Sequence, residues 1–311
     1  MDRRVCGKIS NFNALSTLSS QVNRAYPSEA LNRWLQENRA RGCTPAQLLQ
    51  SMIDAGYSAD FAGSFVVQAG ISPQTSVAET VGEFASNPAL HAWWRRVDAL
   101  ATGNSVALGD REALIRGRHT ANGIFYLRKL LDQGECDAII ELSSSRIQRS
   151  TVVDPQSGDP VPDPRRSSQG TFFEAAVNPL IAAVEARLAR LCGLPVEHGE
   201  GLQILHYTEG GEYQPHYDYF DPSVAGSTKQ LARGGQRIVT IIMYLNTVEQ
   251  GGGTIFPELG LEFLPEKGAA LMFSSLTRDG RLQSQSLHGG SPVKDGVKWI
   301  ATRWIRINPY G

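Results

Sequence analysis

His216 and Asp218 stand two positions apart in the C-terminal half of the chain, and both side chains can bind a metal ion. In a β-strand, side chains two residues apart point to the same face, so both can face one cavity. Two imidazoles and one carboxylate on one face of an octahedron bind ferrous iron and leave positions open for other ligands. The pair therefore requires a second histidine from a distant strand, and His288, which precedes two glycines, is the best candidate. A zinc hydrolase can use the same ligand types, so these residues predict a metal site without fixing its metal.

Lys298 begins a strand-like run, residues 298–307, and its placement also bears on chemistry. Alternation along this strand puts Lys298 on the same face as Thr302 and Trp304. A cation that faces a barrel interior is costly unless an anion pairs with it. The distal carboxylate of 2-oxoglutarate would be a suitable anion. Alternatively, Lys298 lies at the strand end and extends its ammonium group to water, and the spacing alone leaves both possibilities open.

Short runs of β-branched and aromatic residues, separated by glycine, proline and aspartate turns, predict many short strands from residue 201 onward. Two helices precede them, one from residue 135 and one at 178–192, with a polar, proline-rich loop at 154–169 between them. This order predicts an α+β fold for residues 106–311, a double-stranded β-helix (jelly roll) with supporting helices. The clearest predicted strands are 202–207, 238–245, 269–273 and 298–307.

Residues 1–105 are predicted to form a small all-α domain, and the sequence does not indicate its role. Apolar residues recur at helical spacing through this region. Small polar residues at 102–105 predict the linker to the second domain. The predicted helices contain Leu31–Leu35, follow Thr44 and Ser58 as N-caps, and include Trp93 and Trp94.

The composition gives no reason to expect a nucleic-acid or membrane partner. The chain has 30 basic and 31 acidic residues, for a formal net charge of -1. No apolar run approaches the roughly 20 residues that cross a bilayer, and the N-terminus lacks the apolar segment of a secretory signal. The four cysteines form no CxxC pair. A cytoplasmic location is therefore predicted, in a compartment that would keep ferrous iron reduced.

Several segments of the chain resemble the prolyl 4-hydroxylases, including those of bacteria and algae and the collagen-modifying enzymes. The residues around the histidine–aspartate pair, Tyr213–Phe220, carry the clearest similarity. The resemblance extends from about residue 123 to residue 311 and not to the first hundred residues. The other similar segments are 135–137, 149–154, 166–172, 205–207, 234–240, 243–246, 251–257, 286–288, 292–293, 296–299 and 304–305.

The resemblance implies a set of iron and co-substrate ligands. By this similarity, His216, Asp218 and His288 hold Fe(II), and Lys298 binds the far carboxylate of 2-oxoglutarate. Tyr207 is expected to support that carboxylate with its hydroxyl. Thr240 is assigned to the same pocket because it shares a strand face with Tyr244.

The resemblance also implies residues that contact a substrate. Arg166 and Ser168 lie in a loop that folds over the peptide in similar enzymes. Tyr213 and Trp304 are expected to line a proline pocket, although either could equally belong to the barrel core. Arg306 stands where the collagen-type enzymes carry histidine, and it could add a contact to 2-oxoglutarate or to the substrate.

The implied activity is that of a dioxygenase that hydroxylates C4 of a prolyl residue in a peptide or protein. The reaction consumes dioxygen and converts 2-oxoglutarate to succinate and carbon dioxide, with ascorbate as the reductant. One alternative is hydroxylation of a free amino acid or of a residue other than proline. The contrasting alternative is a non-catalytic binding or sensor protein that keeps the oxygenase fold.

Overall fold

The computed structural model describes residues 29–41, 43, 45–55, 57 and 84–310. It divides the chain into two compact units, Met1–Ser76 and Val77–Gly311. In the described part of the chain, no helix is both long enough and apolar enough to cross a membrane.

The described residues of the first unit include two helices, α1 (Glu29–Ala40) and α2 (Pro45–Asp54). Both occur where apolar spacing predicts them. The predicted N-cap Thr44 and the helix predicted after Ser58 lie outside the described residues. The small core of this unit consists of Leu31, Trp34, Leu35, Leu48 and Met52.

The next helix, α3 (Pro88–Thr102), belongs to the second unit, which begins at Val77. The sequence instead predicts the boundary between the two domains at residue 105. Trp93 and Trp94 are both buried in the large core of that unit. Trp93 Nε1 donates a hydrogen bond of 3.1 Å to Ser274 Oγ. The helix therefore packs on the strand that carries Ser274, and sequence spacing alone could not reveal this contact.

The second unit is predominantly β-structure supported by helices. The helices that follow α3 are α4 (Gln133–Ser144), α5 (Pro179–Cys192) and α6 (Ser227–Leu231), with 3-10 turns at Thr120–Asn122, Val196–His198 and Ser284–Ser286. The strands are β1 (Ser105–Ala107), β2 (Glu112–His119), β3 (Ile124–Arg128), β4 (Gln148–Arg149), β5 (Thr151–Val153), β6 (Pro160–Pro162), β7 (Gln169–Phe173), β8 (Leu202–Tyr207), β9 (Tyr213–His216), β10 (Arg237–Tyr244), β11 (Gln250–Gly251), β12 (Thr254–Phe256), β13 (Leu261–Phe263), β14 (Ala270–Ser274), β15 (His288–Gly290), β16 (Val293–Asp295) and β17 (Lys298–Arg306).

These strands form two main antiparallel sheets. The nine-stranded sheet has the order β1-β2-β3-β14-β10-β17-β8-β7-β4, and the four-stranded sheet has the order β13-β12-β15-β9. The pairs β11–β16 and β5–β6 are separate. The predicted jelly-roll core with supporting helices is confirmed. The proline-rich segment 154–169, predicted as a loop, instead contains strand β6 of the β5–β6 hairpin.

Each face of the large sheet buries its own hydrophobic core. One core joins the sheet to helices α3, α4 and α5 and includes Trp93, Ile139 and Leu188. The other contains aromatic and aliphatic side chains from both sheets. Its buried members are Ile124, Leu205, Tyr207, Ile242, Tyr244, Val248, Phe256, Ala269, Leu271, Phe273, Val293 and Ile300. Tyr207, one of the predicted site residues, belongs to this second core.

A buried ion pair joins the two helices that support the large sheet. Helix α4 begins with a capping box in which Asp132 and Glu135 each accept a hydrogen bond from the other's backbone N–H. Arg187 on α5 is 1% exposed and donates to Glu135 and to the carbonyl oxygen of Leu130. It also pairs with Asp110. This guanidinium therefore connects α5 to α4 and to the turn before β2.

We expect Arg187→Ala to lower the free energy of unfolding by about 3 kcal/mol, because buried carboxylate and carbonyl acceptors lose a charged donor. The matched control is Arg128→Ala, whose pair with Glu266 is largely exposed. That substitution should cost no more than about 1 kcal/mol. Urea unfolding of both variants measures the difference, and equal losses would show that the Arg187 pairs do not hold the helices.

Candidate metal and co-substrate site

The structure brings His216, Asp218 and His288 together at one end of the four-stranded sheet. His216 ends β9 and lies opposite His288, the first residue of β15. The Asp218 oxygens lie 3.7 Å from Nε2 of His216 and 3.5 Å from Nε2 of His288. One ligand atom from each residue falls within 4.8 Å of the others. The predicted triad is thus compact enough to surround a single ion.

The backbone orients both imidazole rings toward this point. Nδ1 of His216 lies 2.9 Å from the carbonyl oxygen of Gln214, and Nδ1 of His288 lies 2.9 Å from that of Ser286. Because a carbonyl oxygen only accepts, Nδ1 must carry the proton in each ring. The lone pair of each Nε2 then faces Asp218, as metal ligation requires.

The carboxylate of Asp218 is buried and held by a neighbouring strand. Its Oδ2 accepts a 2.7 Å hydrogen bond from Thr240 Oγ1 on β10. Burial alone would raise the pKa of this carboxyl, but the two imidazoles, Arg237 and the Thr240 bond together lower it. The Thr240 hydroxyl therefore orients Asp218, and the assignment of Thr240 to the 2-oxoglutarate pocket stays a prediction.

His216 is placed to remain a neutral ligand. Burial lowers its pKa, and the adjacent His288 imidazole lowers it further, against the opposing effect of Asp218. The Tyr213 ring stacks on His216 at 3.6 Å between centroids. On the other side, Phe273 lies 4.5 Å from the His288 ring. Neutral imidazoles and an ionised carboxylate are the ligand forms that Fe(II) needs, so these residues fit the ion.

Lys298 begins β17 with its ammonium group inside the protein, where a Cβ added at Gly290, two residues after His288, would lie 3.7 Å from Nζ. It is 3% exposed and stands opposite Tyr207 on β8, whose ring centroid is 5.5 Å from Nζ. Among the described residues, no hydrogen bond or ion pair reaches this ammonium. Burial lowers the pKa of Lys298 to about 8, and the distant Glu262 opposes that effect. A buried cation without a carboxylate partner fits an anionic ligand, and the alternative in which Lys298 reaches water does not hold.

Two residues assigned to the substrate, Arg166 and Ser168, bind each other. Ser168 accepts from Arg166 Nε at 3.2 Å and is fully buried. Arg166 donates further to the carbonyl oxygen of Thr151 and to Gln203. Tyr207 is buried, and burial raises the pKa of its hydroxyl. The contacts of these three residues with co-substrate or substrate stay predictions.

Arg306 binds several protein groups. Its guanidinium is 1% exposed, and Nε donates to Glu200 at 2.6 Å. Nη1 donates to the backbone oxygens of Gln230 and Gly235. Nε and Nη1 of Arg306 thus support the protein itself, and a contact of this residue with 2-oxoglutarate or the substrate stays a prediction.

Trp304 and Tyr213 each pack against an arginine side chain. Trp304 packs beneath Arg237, whose guanidinium carbon is 3.9 Å from the ring centroid. The indole Nε1 of Trp304 is buried, and no described residue accepts its hydrogen bond. Tyr213 is sandwiched between His216 and Arg166. Trp304 therefore has a free donor, whereas Tyr213 packs on a predicted metal ligand.

Glu200 and Arg237 are the site residues that sequence reasoning missed. Arg237 Nε and Nη2 both donate to Glu200, at 2.6 and 2.9 Å. Arg237 Nη1 also approaches the carbonyl oxygen of Asp218 at 3.4 Å. Arg237 lies inside a segment that carries the family resemblance, which was the available signal. Glu200 lies in a polar turn, and nothing in its spacing indicates that it pairs with two arginines.

The sequence pattern of the 2OG-Fe(II) oxygenase superfamily matches residues 202–306. This span includes every residue of the predicted metal triad and Lys298. "Probable prolyl 4-hydroxylase 10" of Arabidopsis thaliana is 41% identical over 199 residues, covering 58% of this chain and 67% of the relative. "Prolyl 4-hydroxylase 2" of the same plant is 36% identical over 207 residues, covering 60% of this chain and 68% of the relative.

Among solved structures, a viral collagen prolyl hydroxylase from Paramecium bursaria Chlorella virus-1 in complex with 2OG is similar to this chain. It is 27% identical, with a TM-score of 0.46, and the alignment covers 59% of this chain and 95% of the viral one.

We expect Thr240→Val to weaken metal binding about 10–100-fold, because the isosteric valine cannot orient the Asp218 carboxylate. Titration of the metal-free protein with Mn(II) or Co(II) measures the affinity without turnover. Thr254→Val is the matched control, since Thr254 is equally buried but accepts its hydrogen bond from Tyr244. Equal affinities in the two variants would contradict the role of Thr240.

Proposed function

Because the chain belongs to the prolyl 4-hydroxylase family of 2OG-Fe(II) oxygenases, we propose that it hydroxylates C4 of a prolyl residue in a peptide or protein. One observation carries this proposal: two histidines and one aspartate form a compact site, and a buried ammonium group without a partner among the described residues lies close to Gly290, two residues after His288. The first feature suits Fe(II) and the second suits the far carboxylate of 2-oxoglutarate.

Each residue of the site has a distinct part in this reaction. With 2-oxoglutarate and dioxygen, the bound iron supplies the chemistry that places one oxygen atom on the substrate carbon and the other in succinate, with loss of carbon dioxide. His216, Asp218 and His288 would hold the ion through two neutral imidazoles and one carboxylate. Lys298 pairs with the far carboxylate and so fixes the orientation of the co-substrate.

The surroundings of the site support selective chemistry on a bound substrate. Phe256 and Phe273 flank the His288 ring and limit the entry of water. Trp304 Nε1, buried and without a partner among the described residues, is available to donate to a substrate carbonyl. A peptide offers such a carbonyl at every residue, which favours a peptide or protein over a free amino acid. The cytoplasmic location and the use of ascorbate stay predictions from the sequence.

The proposal predicts that purified protein with Fe(II) and 2-oxoglutarate adds one oxygen atom to a proline-containing peptide and releases succinate in equal amount. Tandem mass spectrometry locates the oxygen, and hydrolysis followed by amino-acid analysis distinguishes 4-hydroxyproline from its isomers. The controls are the same peptide with alanine in place of proline, free proline, and the Asp218→Ala protein. Oxygen addition to free proline alone, or to the alanine peptide, would refute prolyl hydroxylation of peptides.

The depressed pKa of Lys298 predicts how co-substrate binding depends on pH. The ligand-free lysine loses its proton above about pH 8, and binding an anion restores it. The dissociation constant of 2-oxoglutarate should therefore be constant below that pH and rise by about tenfold for each pH unit above it. Anaerobic calorimetry on the Mn(II)-loaded protein, in buffers of different ionisation enthalpy, measures both affinity and proton uptake.

Lys298→Arg serves as the control for this pH dependence, because a guanidinium stays protonated over the whole range. Any weakening above pH 8 that this variant retains comes from the metal and not from residue 298. If wild type and variant show the same pH dependence and no proton uptake, Lys298 is not the group that pairs with 2-oxoglutarate.

A further inference from the structure

The β5–β6 hairpin and its turn, residues 151–162 (the lid), are attached on both sides of the segment that carries the metal ligands. Before His216, the amide of Gln214 donates to the carbonyl oxygen of Arg165 at 3.0 Å, and Arg165 lies three residues after the lid. On the far side, the lid turn contacts Gly226, eight residues beyond Asp218. The lid and the residues just after it thus contact the chain both before His216, in β9, and after Asp218, at Gly226.

The turn of the lid rests on α6 and on the residue before it. Gly226 N donates to the carbonyl oxygen of Pro155 at 2.9 Å, and Gln230 Nε2 donates to that of Gly158 at 2.9 Å. The two backbones are so close at Gly226 that an added Cβ would lie 2.5 Å from the carbonyl oxygen of Asp154. Only glycine permits this approach, so the contact is specific and tight.

Helix α6 has little to stabilise it by itself. It contains five residues, its N-cap Gly226 makes no side-chain hydrogen bond, and Ser227 is its one buried member. A helix this short does not persist without tertiary support. Arg306 supplies such support, because its Nη1 donates to the carbonyl oxygens of Gln230 and Gly235 at 3.2 and 2.5 Å. Gln230 is therefore held by Arg306 through its backbone and binds the lid through its side chain.

The charges around Arg306 explain how a buried guanidinium is accommodated at this position. Glu200 accepts from both Arg237 and Arg306, so two guanidiniums share one carboxylate. The Arg237–Glu200 pair is neutral by itself and touches the backbone of Asp218. The extra charge of Arg306 is stabilised by the carbonyl oxygen of Gln230 in α6 and by that of Gly235, four residues beyond the helix. A histidine, as in the collagen-type enzymes, has two ring nitrogens and cannot reach Glu200 and both carbonyls together.

We propose that Arg306 is a positioning residue that holds α6 beneath the lid, so that the closed lid, and through it the binding of a peptide substrate, depends on this guanidinium. The substrate part of this inference rests on the proposed function. The structural part does not, since it concerns how the lid is held in the protein without substrate.

Arg306→Met tests the structural part. The variant removes the donors to Gln230 and Gly235 but leaves the Arg237–Glu200 pair neutral, so the barrel is expected to fold. Hydrogen exchange of the Mn(II)-loaded protein should become about tenfold faster or more at the Gly226 amide, whose hydrogen bond joins α6 to the lid. Amides of β10 and β17, away from residue 306, should exchange as in wild type. Unchanged exchange at Gly226 would overturn the proposal.

Kinetics with a proline-containing peptide test the substrate part. Arg306→Met should raise the peptide KM about tenfold while the Kd of 2-oxoglutarate stays within twofold of wild type. Arg306→Lys, which restores a charge but not the fork of donors, should recover only part of both effects. A raised Kd of 2-oxoglutarate with normal exchange at Gly226 would instead indicate direct contact with the co-substrate. Faster hydrogen exchange at the Gly226 amide together with an unchanged peptide KM would also contradict the proposal.

Gly226→Ala reaches the lid by an independent route, because its Cβ forces the lid turn away without touching Arg306. It should raise lid exchange and the peptide KM in the same direction. Gly117→Ala is the matched control, since an added Cβ there makes ordinary contacts of 3.6 Å or more.

If wild type hydroxylates no peptide, the proposed function fails. The exchange of Gly226 in Arg306→Met still decides whether Arg306 holds the lid.

Discussion

The buried carboxylate of Asp218 imposes conditions that extend well beyond its direct neighbours. A carboxylate loses much of its solvation energy inside a protein, and it remains ionised only if nearby groups replace that solvation. Thr240 and the two imidazoles do so at the carboxylate itself. Arg237 adds a positive charge behind it and, being buried, requires Glu200 in turn. Compensation of one negative charge thus organises a network that reaches from the four-stranded sheet to the far end of β17.

Two cations on the same face of β17 illustrate how the structure separates binding from support. Lys298 and Arg306 are equally buried, at 3% and 1% exposure. The guanidinium of Arg306 is occupied by Glu200 and two carbonyl oxygens. The ammonium of Lys298 has no such partner among the described residues. A buried charge that the protein leaves without a partner is costly, and this cost is offset only when an anion binds.

The rigidity of the site is distributed unevenly, in keeping with what each part must do. His216, His288 and Lys298 lie on paired strands of the two sheets, where backbone hydrogen bonds fix their positions. Asp218 lies two residues beyond the end of β9 and is held by the Thr240 hydroxyl. The lid consists of two three-residue strands, and its turn is attached by hydrogen bonds from Gly226 and Gln230 and by the exposed Lys229–Asp159 ion pair. Elements held by so few and largely exposed contacts open at low cost in free energy.

The sequence by itself indicated the fold class and the three candidate metal ligands, because residue chemistry and strand-like patterning depend on local order along the chain. The roles of these ligands and of Lys298 came from the resemblance to the prolyl 4-hydroxylases, and the structure groups His216, Asp218 and His288. Only the tertiary structure decided that Thr240 binds Asp218, that Arg306 supports α6, and that α3 packs with the barrel. Alternation gives the face on which a side chain lies. The residue that it meets there depends on which distant segment packs opposite, and that is settled by the packing of the whole chain.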